Sequence, residues 1–391
     1  MTPYAQTLEN LGRLIAFPTI SAESNLALID HAEDLLTKAG CATQRIPDPV
    51  LAKSGLVARI GPSGPGGVLL SAHSDVVPVQ GQAWTRPPFE MTQEGDKIFG
   101  RGTTDMKGYL AAMLSLAQRV DATALRAPLM FIISYDEEIG CQGLRKMLPV
   151  FAGLGWRPEL CIVGEPTSMR PAIGHKGKSA LRATCRGIAG HSALAPKYIN
   201  ALHLAADFIT ALRIIQNEYG GSDVQDTAYD VPYSTVHAGT LQGGTALNIV
   251  PERAVVEFEL RHLPQDELST FLRRLTHAAD HICAPFQAEH PDVGIDIEVT
   301  NTYPGLDIAP DHLAVRRVAR LCGSEDLTKV AFGTEAGFVA GLGIPTVVCG
   351  PGCMEGQGHK ADEFVALSQL GRCDMMMDRL LAELSDRQPP L

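Results

Sequence analysis

The segment Leu69-Leu70-Ser71-Ala72-His73-Ser74-Asp75 is an apolar run that ends in an imidazole, with a carboxylate two residues later. A short apolar run of this kind reads as a strand buried on both faces, here residues 68–72. The same texture recurs at residues 55–60, 129–134 and 159–163. The last two of these runs lead into Asp136-Glu137-Glu138 and Gly164-Glu165-Pro166. Residues 26–39, closed by Gly40, and residues 106–120 carry apolar side chains at helical spacing, the second as an amphipathic helix. Alternating helices and strands imply an α/β fold, a mostly parallel sheet with helices on both faces. Acidic or histidine-bearing residues that follow such strands collect at the carboxyl edge of the sheet, where loops gather ligand groups. Residues 100–108, with Asp105, are read the same way.

From about residue 178 the texture changes. Residues 179–186, 234–240 and 254–261 read as strands, separated by helices at 200–217 and 265–282. A last strand at 295–300 precedes the return of the α/β pattern, with a helix at 312–322 and a strand at 345–349. The reading is a discontinuous α/β domain, residues 1–177 and 302–391, interrupted by a smaller α+β domain with an antiparallel sheet, residues 178–301. A length of 391 residues suits two domains, because single cores stop growing near ~250–300 residues.

Composition narrows the function classes. A formal net charge of −11, with the basic residues dispersed, argues against nucleic acid as a partner. Glu9 and Arg13 interrupt the only apolar stretch near the start, and no apolar run reaches the ~20 residues of a spanning helix, so neither export nor a membrane is expected. Nine cysteines without a C-x-x-C spacing read as reduced core thiols, consistent with a cytoplasmic protein. No G-x-x-x-x-G-K-[ST] loop supports nucleotide binding, and Gly61 to Gly67 is a turn rather than a dinucleotide fingerprint.

Adjacent carboxylates such as Glu137-Glu138 do not both stay ionised in a dry pocket without a cation, because desolvation and mutual repulsion favour protonation. Zinc accepts imidazole and carboxylate ligands, and a pair of ions can activate water while polarising a carbonyl. The segments around His73, Asp105, Glu138, Glu165 and His359 supply such groups. Alone, each short motif is weak: H-x-D occurs by chance, and Asp362-Glu363 reads as the acidic first turn of a helix.

Taken in order, these motifs resemble the zinc family that includes acetylornithine deacetylase, succinyl-diaminopimelate desuccinylase, aminoacylase and related carboxypeptidases, over nearly the whole chain. The resemblance implies a two-zinc amidohydrolase, with cobalt or manganese able to substitute, acting on an N-acyl amino acid. It assigns His73 and Glu165 to one metal, Glu138 and His359 to the other, Asp105 to the bridge and Glu137 to the general base. Asp75 would orient His73. His191, in Gly190-His191-Ser192, would stabilise the oxyanion from the lid and dimerisation domain of a neighbouring subunit, which implies a homodimer, although taken alone it also reads as a turn or surface histidine. Asn248 and Arg261 resemble contacts to the substrate carboxylate, although Arg261 also reads as an ordinary strand arginine paired on a sheet surface.

Gly333-Thr334-Glu335-Ala336-Gly337 and Gly350-Pro351-Gly352 resemble the acetylornithine deacetylase branch, which makes N-acetylornithine, a precursor in arginine biosynthesis, the expected substrate. Glu335 would meet the ornithine ammonium or support a metal ligand. Ala361 stands where the family often has proline, and the Gly-rich approach to His359 departs from the common pattern. The alternatives are a carboxypeptidase or broad deacylase of the same family and, from another class, a metal- or ligand-binding scaffold without catalysis.

Overall fold

The computed structural model describes residues 4–21 and 23–385. It divides into two compact units, the larger made of Met1–Gly174, Leu306–Val330 and Thr334–Leu391, the smaller of His175–Gly305 and Ala331–Gly333.

In the larger unit the strands Leu129–Ser134, Val68–His73, Leu160–Pro166 and Thr346–Gly350 lie side by side and parallel. Every residue in these four strands is buried. Both faces are covered, which is why their sequences run apolar without alternation. Leu70 and Ala72 pack on one side with Leu11, Leu110 and Leu380, whereas Leu69, Met130 and Ile132 pack on the other with Leu144 and Phe151. Antiparallel strands close the sheet, including Ala42–Pro47 and Ser54–Ile60 at one edge. The mainly parallel α/β architecture expected from the sequence is the one observed.

Three local expectations differ from the structure. Helix Gly108–Arg119 is buried continuously from Gly108 to Ala117, not along one stripe. Over those ten residues it is enclosed by Ala5–Ile15, Leu367–Leu384 and the sheet, and only its last turn, at Gln118, reaches water. Asp362-Glu363 does not begin a helix. It precedes the strand Phe364–Ala366, and the next helix starts at Leu367.

That strand explains a third difference. The segment carrying Asp105 follows Lys97–Phe99, which belongs to a separate three-stranded antiparallel sheet and not to the parallel one. Phe364 pairs with Phe99 across that small sheet, so the chain just after His359 runs beside the chain just before Asp105.

The smaller unit has a four-stranded antiparallel sheet in the order Thr235–Gly243, Arg253–His262, Gly177–Arg186, Gly294–Tyr303. Buried and partly exposed residues alternate along Gly177–Arg186 because helices cover only one face, where Leu181, Ala183 and Cys185 meet Phe208 and Phe271. All nine cysteines are free thiols, and eight are buried. Among the described residues, no helix is long and apolar enough to cross a membrane.

Gly164 tests how tightly the central sheet meets its helix layer. A Cβ added there would overlap the ring of Tyr109, whose hydroxyl is held by the Ile162 carbonyl at 3.2 Å. Gly164→Ala should therefore cost about 1–3 kcal/mol, the usual penalty of overpacking. Urea denaturation of the variant beside the parent measures it, and an unchanged midpoint would contradict this packing.

Candidate metal centre

Parallel strands deliver three of the chemistry-bearing segments to one edge. His73 ends Val68–His73, Asp136-Glu137-Glu138 follows Leu129–Ser134, and Glu165 lies near the end of Leu160–Pro166. Pairing of His73 with Ser134 sets the first two segments side by side. The small antiparallel sheet brings in Asp105 and His359.

The resulting cluster is close-set. His73 is fully buried, and its Nε2 lies 3.1 Å from Asp105 Oδ1 and 3.6 Å from Glu165 Oε1. His359 Nε2 lies 2.9 Å from both Asp105 Oδ2 and Glu138 Oε2. Asp105 thus faces one imidazole with each oxygen. Among the described residues, two groups have ligand atoms within 4.8 Å of one another: His73, Glu137 and Glu165, and His73, Asp105 and Glu138.

Asp75 supports the cluster in two ways. Its carbonyl oxygen accepts from His73 Nδ1 at 2.9 Å, which leaves Nε2 facing the carboxylates. Its carboxylate sits 3.6 Å from the same ring and instead accepts the amides of Glu137 and Glu138, at 3.1 and 3.3 Å, and the Ser21 hydroxyl at 2.7 Å. Beneath that turn, Lys53 bonds Asp136 and the Ser21 carbonyl. Neither Lys53 nor Ser21 belongs to a recognisable motif, and no local signal in the sequence marks them.

The electrostatics express crowding. Burial, reinforced by Glu138, Glu335 and Asp105, pushes Glu137 well above the usual carboxylate range despite the opposing pull of His73. Burial and Asp105 raise Glu138 to about 7, and they raise Glu165 strongly. Asp105 goes the other way: burial alone would raise it, but hydrogen bonds to His359 and His73 hold it below its ordinary value. Hydrogen bonds to Asp105 and Glu138 lift His359 to about 10. Buried Glu138 Oε1 has no partner. Four carboxylates and two imidazoles so arranged suit divalent cations, which would replace shared protons as the balancing charge.

Glu335 lies in the larger unit, 1% exposed, at the start of the short helix Ala336–Ala340. Burial raises it to about 7, with the Ser134 and Ser71 hydroxyls beside it. His191, Asn248 and Arg261 belong to the smaller unit. There Gly190–His191 pairs with Ile249–Val250, and Ser192 N donates to the Asn248 carbonyl at 3.1 Å, so His191 and Asn248 are neighbours. Ala193 N donates to His191 Nδ1, which leaves Nε2 to carry the ring proton. Arg261 Nε donates to Glu259 at 2.8 Å on its own strand, as in the surface-pair reading. Lys176, which carries no assigned role, donates to the Val231 and Tyr233 carbonyls.

Residues 69–383 match the model of Peptidase family M20/M25/M40. An acetylornithine deacetylase of Photorhabdus laumondii is 32% identical over 381 residues, 96% of each chain. An M20 metallo-carboxypeptidase of Sulfolobus solfataricus superposes with a TM-score of 0.77 at 20% identity, covering 98% of this chain and 99% of that one. A dinuclear metal-binding peptidase of Bacillus subtilis gives a TM-score of 0.67 at 18% identity, covering 98% of each.

The raised acids fix the sign of a pH effect in metal-free protein. Glu138 and Glu335 hold protons up to about pH 7 when folded, whereas an unfolded glutamate releases its proton near pH ~4.3. Their stabilisation is therefore complete below the unfolded value and lost as pH rises through the folded one. Chelated protein should melt at progressively lower temperature from about pH 5 to pH 8. Added zinc should oppose the fall, since metal binds the deprotonated ligands. Calorimetry with chelator and with zinc tests this, and a metal-free melting temperature that climbs across the window would contradict the electrostatics.

Proposed function

The chain belongs to Peptidase family M20/M25/M40, and from that premise we propose that it removes the acetyl group of N-acetylornithine, releasing ornithine and acetate in arginine biosynthesis. The resemblance to acetylornithine deacetylase along 96% of both chains supports this substrate. The reaction class rests on one observation: Glu137, its proton affinity raised, groups with His73 and Glu165 at ligand distance.

In this reading His73 and Glu165 would hold one zinc ion, Glu138 and His359 would hold a second, and Asp105 would serve both. Cobalt or manganese would suit the same nitrogen and oxygen donors. When bound, such ions supply water activation and polarise the scissile carbonyl. Glu137 takes the water proton on a carboxylate oxygen and returns it to the leaving nitrogen, a shuttle that needs a pKa near the working pH. Asp75 keeps Glu137 aimed by holding its amide, and fixes the His73 tautomer through its carbonyl.

His191 would donate its Nε2 proton to the oxyanion from the smaller unit of a partner subunit, within a homodimer. Asn248 and Arg261 would bind the substrate carboxylate, Arg261 by exchanging its tie to Glu259 for the ligand. The complete burial of Glu335 favours support of the centre from below over direct contact with the ornithine ammonium. The reduced thiols are in keeping with a cytoplasmic enzyme.

Glu137→Ala should lower kcat by at least ~10²–10⁴-fold, the range of general base catalysis, while zinc content stays at the parent level. His359→Ala should lower both activity and zinc content. A panel of N-acetylornithine, N-succinyl-diaminopimelate, N-acetylmethionine and dipeptides compares kcat/KM directly. Preference for a dipeptide would move the reading to a carboxypeptidase or dipeptidase of the same family, and near-parental turnover in the Glu137 variant would remove the assigned base.

A further inference from the structure

Glu363 is a buried carboxylate four residues after His359, and the reaction outlined above does not use it. Its four polar contacts divide evenly. Oε1 accepts the amides of Thr104 and Asp105 at 2.9 and 3.0 Å. Oε2 accepts the Gly102 amide at 2.9 Å and the Arg101 guanidinium at 2.6 Å. Three of the donors are thus backbone N–H groups of the loop that carries Asp105, one of them the amide of Asp105 itself.

The link to His359 is equally direct. Arg101, only 1% exposed, donates to Gln82 as well as to Glu363, and the Gln82 amide donates to the His359 carbonyl at 3.0 Å. Gly100 N bonds the Glu363 carbonyl at 3.0 Å, and the Thr104 hydroxyl bonds the Phe364 carbonyl at 2.6 Å. One carboxylate therefore clamps two chain segments more than 250 residues apart in sequence.

We propose that Glu363 is a positioning residue for the metal centre: it sets the Asp105 loop and the His359 loop at the separation needed to hold the second cation. The inference rests on the two-metal reading above. Each Glu363 oxygen is already engaged by two donors, so the side chain acts by placing ligands and not as a ligand. The first cation depends on Glu363 only through Asp105, whereas the second depends on it through Asp105 and His359. Loss of the clamp should fall mainly on the second.

Zinc affinities measured by competition with a chelating dye, with near-ultraviolet circular dichroism to verify folding, test this on the full chain. Glu363→Gln keeps the shape but turns an amide N–H toward existing donors, so the zinc site that His359→Ala abolishes should lose about 10–100-fold in affinity while the other site changes little. Glu363→Asp keeps the charge but withdraws it by one methylene. It should show the same selective loss to a smaller extent, and it carries the test if the glutamine variant does not fold. Asp362→Asn, which alters the adjacent carboxylate bound to Thr85, should leave both affinities as they were. A folded Glu363 variant with parental affinity at both sites, or with both sites weakened alike as general loosening would produce, overturns the proposal. Parent protein that takes up fewer than two zinc ions overturns the two-metal reading itself, whatever the variants do.

Discussion

Several ionisable side chains are forced close to one another at a sheet edge that is buried at His73, Asp105 and Glu165 and open to solvent at His359, and the larger unit is built to withstand that crowding. Asp105 lies against His73 on one oxygen and His359 on the other, while Glu138 and Glu165 crowd the same imidazoles. Such a cluster strains any fold that buries it, because like charges repel and each has lost its water. The scaffold responds with rigidity. Four strands buried on both faces fix His73, Glu165 and the Glu137-Glu138 turn relative to one another, and a continuously buried helix leads directly away from Asp105.

A ring of buried polar groups then opposes local relaxation. Asp75 holds the amides of the Glu137-Glu138 turn, Lys53 ties Asp136 to Ser21, and Glu363 with Arg101 ties the remaining two loops. In each case a buried charge is matched by an opposite charge or by several backbone N–H donors, the condition under which burial is tolerable. The chemistry-bearing side chains can then occupy positions that unsupported carboxylates would leave by moving apart or taking up protons. Preorganisation of this sort lets a site act without rearranging when substrate arrives.

The smaller unit solves a different problem. Its sheet has helices on one face only, so its strands alternate and its surface carries many paired charges, Arg261 with Glu259 and Arg182 with Glu257 among them. An exposed pair such as Arg182 with Glu257 holds little stability, so an arginine of this kind can change partners cheaply. Buried Arg101 has no such freedom, because its charge is committed to Glu363.

Much of this was legible from the residues alone. Apolar runs ending in His73, Asp136-Glu137-Glu138 and Glu165 identify buried strands and what lies at their ends, because side-chain burial is written in local periodicity. The order of the motifs carries the family. Sequence could not reveal that Asp105 arrives from a separate antiparallel sheet, that Asp362-Glu363 precedes a strand, or that Lys53 and Glu363 brace the centre. These features depend on contacts such as His359 with Asp105, 254 residues apart, and on hydrogen bonds to backbone amides that any residue type could supply. Local pattern fixes which groups are present and which face they take, whereas the meeting of distant loops is decided only when the chain has packed.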